Sequence, residues 1–138
     1  DIEKSVTLLK TMASQPREVF LQDEILLSGA KYQLIVAIEA AQAICNHLAA
    51  RVAKEAPQSY ADCFRILGRK GILSRELTPG LVDMAKFRNL LVHGYGKVDD
   101  AAVHEIIQKD IADLINYVRE ITLFLKADPE GTKANEGS

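Results

Sequence analysis

The stretch YQLIVAIEAAQAICNHLAA, residues 32–50, decides the fold, because it holds a single carboxylate, Glu39, and neither proline nor glycine. Its apolar residues recur every three to four positions, the period of an α-helix rather than the alternation of a strand. Outward from it, Leu27, Ala30, Leu34, Ile38, Ala41, Cys45, Leu48 and Val52 fall on one stripe. The spacing predicts a helix that begins near residues 17 to 20, after SQPRE, and runs to about residue 53. Its middle is apolar on more than one side, so burial on two faces is expected. The excess of apolar surface points to a partner as well as to a core.

Upstream, Ile2, Val6, Leu9 and Met12 share a face and predict a first helix over residues 1–13. Downstream, Pro57 breaks the pattern, and Ser59 is placed to cap a short third helix carrying Tyr60, Phe64 and Leu67 before Gly68 and Gly71 end it. Ser74 offers a cap for one turn. Thr78 followed by Pro79 reads as the N-cap and first position of a fourth helix that reaches His93, with Gly94 and Gly96 as its stop. Asp99 or Asp100 caps a fifth helix, in which Val103, Ile107, Ile111, Leu114, Val118, Ile121 and Leu125 keep helical spacing. No strand-like pattern or internal repeat competes. The expected fold is all-α, an up-and-down bundle of four long helices plus one short helix, with brief connections that favour antiparallel neighbours. Residues 1–127 form the helical domain, and the final DPEGTKANEGS, residues 128–138, lacks apolar periodicity and reads as a disordered tail.

Composition bounds the function. A chain of 138 residues fits one domain, and 48% apolar with 26% charged residues is the balance of a soluble globular protein. No uninterrupted apolar run is long enough to span a bilayer, and DIEKSVTLLK is too charged for a secretory leader, so a cytoplasmic location is expected. Cys45 and Cys63 have neither disulfide-scaffold nor zinc spacing and read as core filler. The net charge of −2 is unlike that of an avid, sequence-blind nucleic-acid binder, so any cationic site has to be local.

Such a site is offered by FRNLLVHGYG, residues 87–96. Unpaired carbonyls at a helix C-terminus favour a protonated imidazole, which suits His93 to proton transfer near neutral pH. Arg88 adds a permanent cation of the geometry that grips phosphate. Asn89 stands four residues before His93 on the same side, and Tyr95 follows the helix stop, where the turn can fold its hydroxyl back. Lys86 and Lys97 flank the stretch as candidate RNA contacts, and Arg65, Arg69, Lys70 and Arg75 precede it, so a local basic patch is available. This set suits metal-free RNA cleavage, in which the 2′-hydroxyl attacks the adjacent phosphate while a base, an acid and a cation assist. One histidine per site is a short supply for two proton transfers, and a two-fold dimer would bring a second copy to the same cleft. Spacing alone favours a structural reading, in which His93 caps carbonyls, Arg88 pairs with an acid such as Asp83, and Tyr95 packs.

RNLLVHGY resembles the R-x4-H-x-Y motif of the HepT-like toxins, a branch of the HEPN superfamily. PQSYADCFRILGRKGIL and LTPGLVDMAKFRNLLVHGYGKVD are similar to that family's central segment in order and spacing, and the resemblance covers residues 17 to 126. It implies a homodimeric ribonuclease toxin of a toxin–antitoxin pair, with a minimal nucleotidyltransferase as antitoxin. Carried over by position, it makes Arg88 and His93 the catalytic pair and Asn89 a supporting residue. Tyr95 becomes the hydroxyl that receives AMP. A bulky phosphodiester anion there would occupy Arg88 and repel an incoming RNA phosphate. The other class of function is a non-catalytic helical partner that docks a nucleotidyltransferase and positions its substrate.

Glu39 is costly in an apolar helix unless partnered, so a supporting role, orienting Arg88 or holding His93 protonated, stands beside simple structural pairing. Asn46 and His47 can face either a partner or solvent, and His104, among acids, is expected to be exposed. The three histidines are too dispersed for a metal-ligand set. GYG lacks the context of a phosphate-binding loop, and no cofactor is implied.

Overall fold

The computed structural model describes residues 2–94 and 98–127. The expected tail, together with Tyr95 and Lys97, lies outside the described residues. The fold is all-helical in the order α1 (Ile2–Ala13), α2 (Arg17–Gln22), α3 (Glu24–Leu48), a π-helical turn (Ala49–Ala53), α4 (Tyr60–Arg69), α5 (Thr78–His93), α6 (Asp100–Lys109) and α7 (Ile111–Ala127).

Two of the expected long helices are each divided by an aspartate. The second breaks at Asp23, whose backbone is extended and whose Oδ1 accepts from the amides of Ile25 and Leu26, both at 3.0 Å. An aspartate satisfies the orphan amides of a new helix better than it sits inside an old one, so α2 stops and α3 starts there. The fifth breaks at Asp110, between α6 and α7. Ser59 and Asp99 cap α4 and α6 as their positions predict. Thr78, however, is the first residue of α5 rather than its cap. Its hydroxyl instead donates to the Ser74 carbonyl at 2.8 Å. Gly71, at φ +76°, takes the left-handed turn that closes α4.

Helix α3 is the centre of the bundle and packs on α1, α4, α5, α6 and α7. Its stripe from Leu27 to Leu48 is buried at every position, and Ala37 and Gln42 widen it. These positions form one broad face; Tyr32 and Ile44, off that face, are exposed, so the burial on two faces expected of this helix is not met within a single chain. On the far side Phe64 meets Tyr117 edge-on, with ring centroids 5.6 Å apart, and the Tyr117 hydroxyl donates to the Ala41 carbonyl at 2.8 Å. These two rings join α4 and α7 to α3. Cys45 and Cys63 fill the space beside them, where a hydrogen bond to Cys63 and burial push the Cys45 thiol up.

The entry to α5 is clasped to α7. Glu120 accepts from the Ser74 amide at 2.7 Å and from its hydroxyl at 2.8 Å, and that hydroxyl in turn accepts from the Leu77 amide. Helices α4 and α5 approach each other closely at Gly68, where a Cβ would lie 2.7 Å from Thr78 Oγ1.

Acidic residues gather where α6 meets α7. Burial, then Glu105 and Asp83, raise the Asp110 carboxyl; burial, then Asp110, raise Asp113. Both hold a proton more tightly folded than unfolded, so their contribution to stability is present in acid and lost as pH rises past their raised values. Asp113→Asn is expected to raise the melting temperature at pH 7, with the advantage shrinking as pH falls toward about 4, near the ordinary aspartate value. Thermal melts across that range check it.

Candidate functional site

Arg88 projects from α5 toward α3 and α4. Its Nη2 donates to Glu39 Oε2 at 3.0 Å, its Nη1 donates to Asn89 Oδ1 at 3.2 Å, and Cζ sits 4.6 Å from the centre of the Tyr60 ring. The side chain is 12% exposed against 43% for Glu39. A carboxylate and an aromatic face replace water around this enclosed guanidinium. Its Nε is buried with no hydrogen-bond partner among the described residues. The planar group is thereby fixed in one orientation by three elements of the fold.

His93 is the last residue of α5 and is exposed, and the Gly94 amide donates to the Leu90 carbonyl at 2.7 Å to close the helix. Leu90 and Val92 leave apolar surface next to it, 55% and 38% exposed. Among the described residues no bond joins His93 to Arg88, Asn89 or Glu39. Five positions along a helix turn the side chain by about 140°, which is why the pair shares a helix end but not a face.

The structure therefore unites Arg88, Asn89 and Glu39, leaves His93 and Lys86 exposed nearby, and says nothing of Tyr95 and Lys97, which lie outside the described residues. The pairing of Arg88 with Asp83 is corrected, because Glu39, 49 residues away in sequence, supplies the carboxylate. Tyr60 is the site residue that sequence reasoning missed. It reads as one more apolar position of a short helix, and only the packing of α4 against α5 brings its ring under Arg88. Among the remaining candidates, His104 is half-buried rather than exposed, its ring 5.0 Å from that of Phe20. His47 is exposed, and Asn46 accepts a hydrogen bond from Gln42. Among the described residues no three His, Cys, Asp or Glu side chains cluster as a metal ion requires, and no helix is long and apolar enough to cross a membrane.

The family model described as "Ribonuclease HepT-like" matches residues 2–121, nearly the whole helical body. The chain belongs to the HepT-like family. A relative from Archaeoglobus fulgidus, described as "Putative RNase", is 28% identical over 120 residues, which cover 87% of this chain and 89% of its own. The mRNA nuclease HepT of Shewanella oneidensis is 28% identical over 99 residues, 72% of this chain and 74% of its own. Among solved structures, a toxin–antitoxin complex with AMP-PNP superimposes with a TM-score of 0.81 at 23% identity, over 88% of this chain and 92% of that one. The tri-AMPylated Shewanella oneidensis HEPN toxin in complex with MNT antitoxin gives 0.72 at 24%, over 88% and 96%. These superpositions show that the HepT-like bundle is the same fold as theirs, and ribonuclease activity is the description the family carries.

Proposed function

We propose that this HepT-like chain is a metal-independent endoribonuclease toxin. In this reading it cuts RNA by 2′-hydroxyl attack in a cleft shared by two copies, and a minimal nucleotidyltransferase antitoxin silences it by transferring AMP to Tyr95. The observation that carries the reading is the family match across residues 2–121, with the motif histidine on the exposed end of α5 and the motif arginine, on the same helix, held by Glu39. His93 moves the protons, one copy serving as base and the other as acid. Arg88 stabilises the charged phosphorane, oriented by Glu39 and by the Tyr60 ring, with Asn89 in support. The exposed Leu90 and Val92 give a second copy apolar surface to cover next to His93. The Shewanella oneidensis relative's name as an mRNA nuclease supports the substrate class, and the tri-AMPylated toxin bound to MNT antitoxin supports the mode of control.

Purified protein incubated with RNA in EDTA should yield fragments ending in 2′,3′-cyclic phosphate. Fragments that appear only when a divalent metal is restored would refute metal independence. For the control step, mass spectrometry after incubation with the nucleotidyltransferase and ATP should show AMP-sized additions that vanish in Tyr95→Phe. Additions that persist in that variant place the acceptor elsewhere.

One observation favours the second reading, a non-catalytic partner that docks a nucleotidyltransferase. Arg88 is largely enclosed, and among the described residues no hydrogen bond joins it to His93. That reading predicts a stable complex and altered transferase activity, with no RNA cut at any protein concentration.

A further inference from the structure

Beyond the Arg88 pocket, α4 and α5 enclose an open groove of about 600 Å³. The buried Val82 and half-buried Gly68 and Thr78 line its base, while the exposed Arg65, Arg69 and Arg75 stand at its edge. Two carboxylates also line it, Asp62 and Asp83. Asp62 is engaged by the Gln58 amide at 3.0 Å, and Arg69 is held by Glu55 at 3.3 Å. Arg65 and Arg75 make no ion pair among the described residues. The groove thus offers two unengaged guanidinium groups over an apolar base.

Its α5 wall leads to the cleavage site. Pro79 lines the groove, and Lys86 and His93 follow it at seven-residue steps. Seven residues turn an α-helix through about 700°, within about 20° of two full turns, so the three lie in one line. From Pro79 to His93 that line is about 21 Å long, room for a few nucleotides.

We propose that this groove is a second RNA subsite, which holds the unpaired strand next to the phosphate presented to His93. Guanidinium groups pair with phosphate in a fork and stack on bases, and an apolar base accepts a nucleobase face. A duplex offers no unstacked base face to the apolar base of the groove, so the ligand is single-stranded. The proposal rests on the ribonuclease reading above and adds where the substrate lies.

The test is the double variant Arg65→Glu/Arg75→Glu in the full chain. With a single-stranded RNA longer than the groove, KM should rise about tenfold or more, because two phosphate contacts become repulsions, while kcat stays within about twofold. Cleavage of a dinucleotide, too short to reach the arginines, should be unchanged. On a His93→Ala background, which binds without cutting, the same charge reversal should weaken RNA binding and flatten its salt dependence by about one to two in log–log slope. An unchanged KM and unchanged RNA affinity overturn the subsite. So does retained RNA affinity with a lost nucleotidyltransferase complex, which would assign the groove to a protein. A parent chain that binds RNA through these arginines yet never cuts it leaves the subsite standing and removes the nuclease reading. A parent that cuts normally while ignoring the charge reversal removes only the subsite.

Discussion

His93→Ala is expected to lower the single-turnover rate of RNA cleavage by about 10²–10⁴-fold, the usual contribution of a positioned general acid or base. Arg88→Ala is expected to cost about 10²–10³-fold, the range found when one donor to a developing oxyanion is removed. The two variants differ in what else they disturb. His93 is exposed at a helix end, so its loss should leave the circular dichroism and the melting curve nearly unchanged. Arg88 is enclosed between Glu39 and Tyr60, and its removal leaves the carboxylate without its cation, so a modest loss of stability accompanies the loss of rate. Labelled RNA, quenched-flow sampling and matched urea melts separate the two effects. Cleavage by His93→Ala at the parent's rate would exclude the histidine from the chemistry and, with it, the nuclease reading.

Phe64→Ala is expected to destabilise the fold by about 3–5 kcal/mol, the range for removing a buried phenyl ring. Phe64 is 1% exposed and its ring is the edge partner of Tyr117, so the cavity would open where α4, α7 and α3 meet. Domains of this size have about 5–15 kcal/mol in all, so the variant would give up about a third or more of a mid-range stability. Tyr117→Phe keeps the ring pair and loses only the hydroxyl bonded to the Ala41 carbonyl, about 1 kcal/mol. Urea midpoints at constant slope measure both. A loss under about 1 kcal/mol for Phe64→Ala would mean that the three helices close the gap, and that this junction is not a rigid support for the site.

The helices were legible because their signals are local. The stripe from Leu27 to Leu48 is periodic, and Ser59 and Asp99 precede apolar runs, where caps are needed. The break at Asp23 was written in the sequence as an aspartate ahead of an apolar run, but the longer periodicity across it concealed the change of helix. The site was half legible. Arg88, Asn89 and His93 lie within six residues and form a pattern, and Glu39 stands out as a lone carboxylate in an apolar helix, whereas Tyr60 gives no signal and meets Arg88 only through the packing of α4 on α5. No spacing rule links residues 28 or 49 positions apart. The arginines of the groove were visible as a basic run. What the sequence could not show is that two helices meet closely enough at Gly68 to give that run a floor.

That contact at Gly68 has an implication for how such a molecule diversifies. The Thr78 hydroxyl facing it is tethered to Ser74, so a side chain added at position 68 would act as a wedge and spread the neighbouring rods apart. Should the groove hold RNA as proposed, its breadth would then be adjustable at a position on another helix from the imidazole, letting selection retune what enters without rewriting the chemistry.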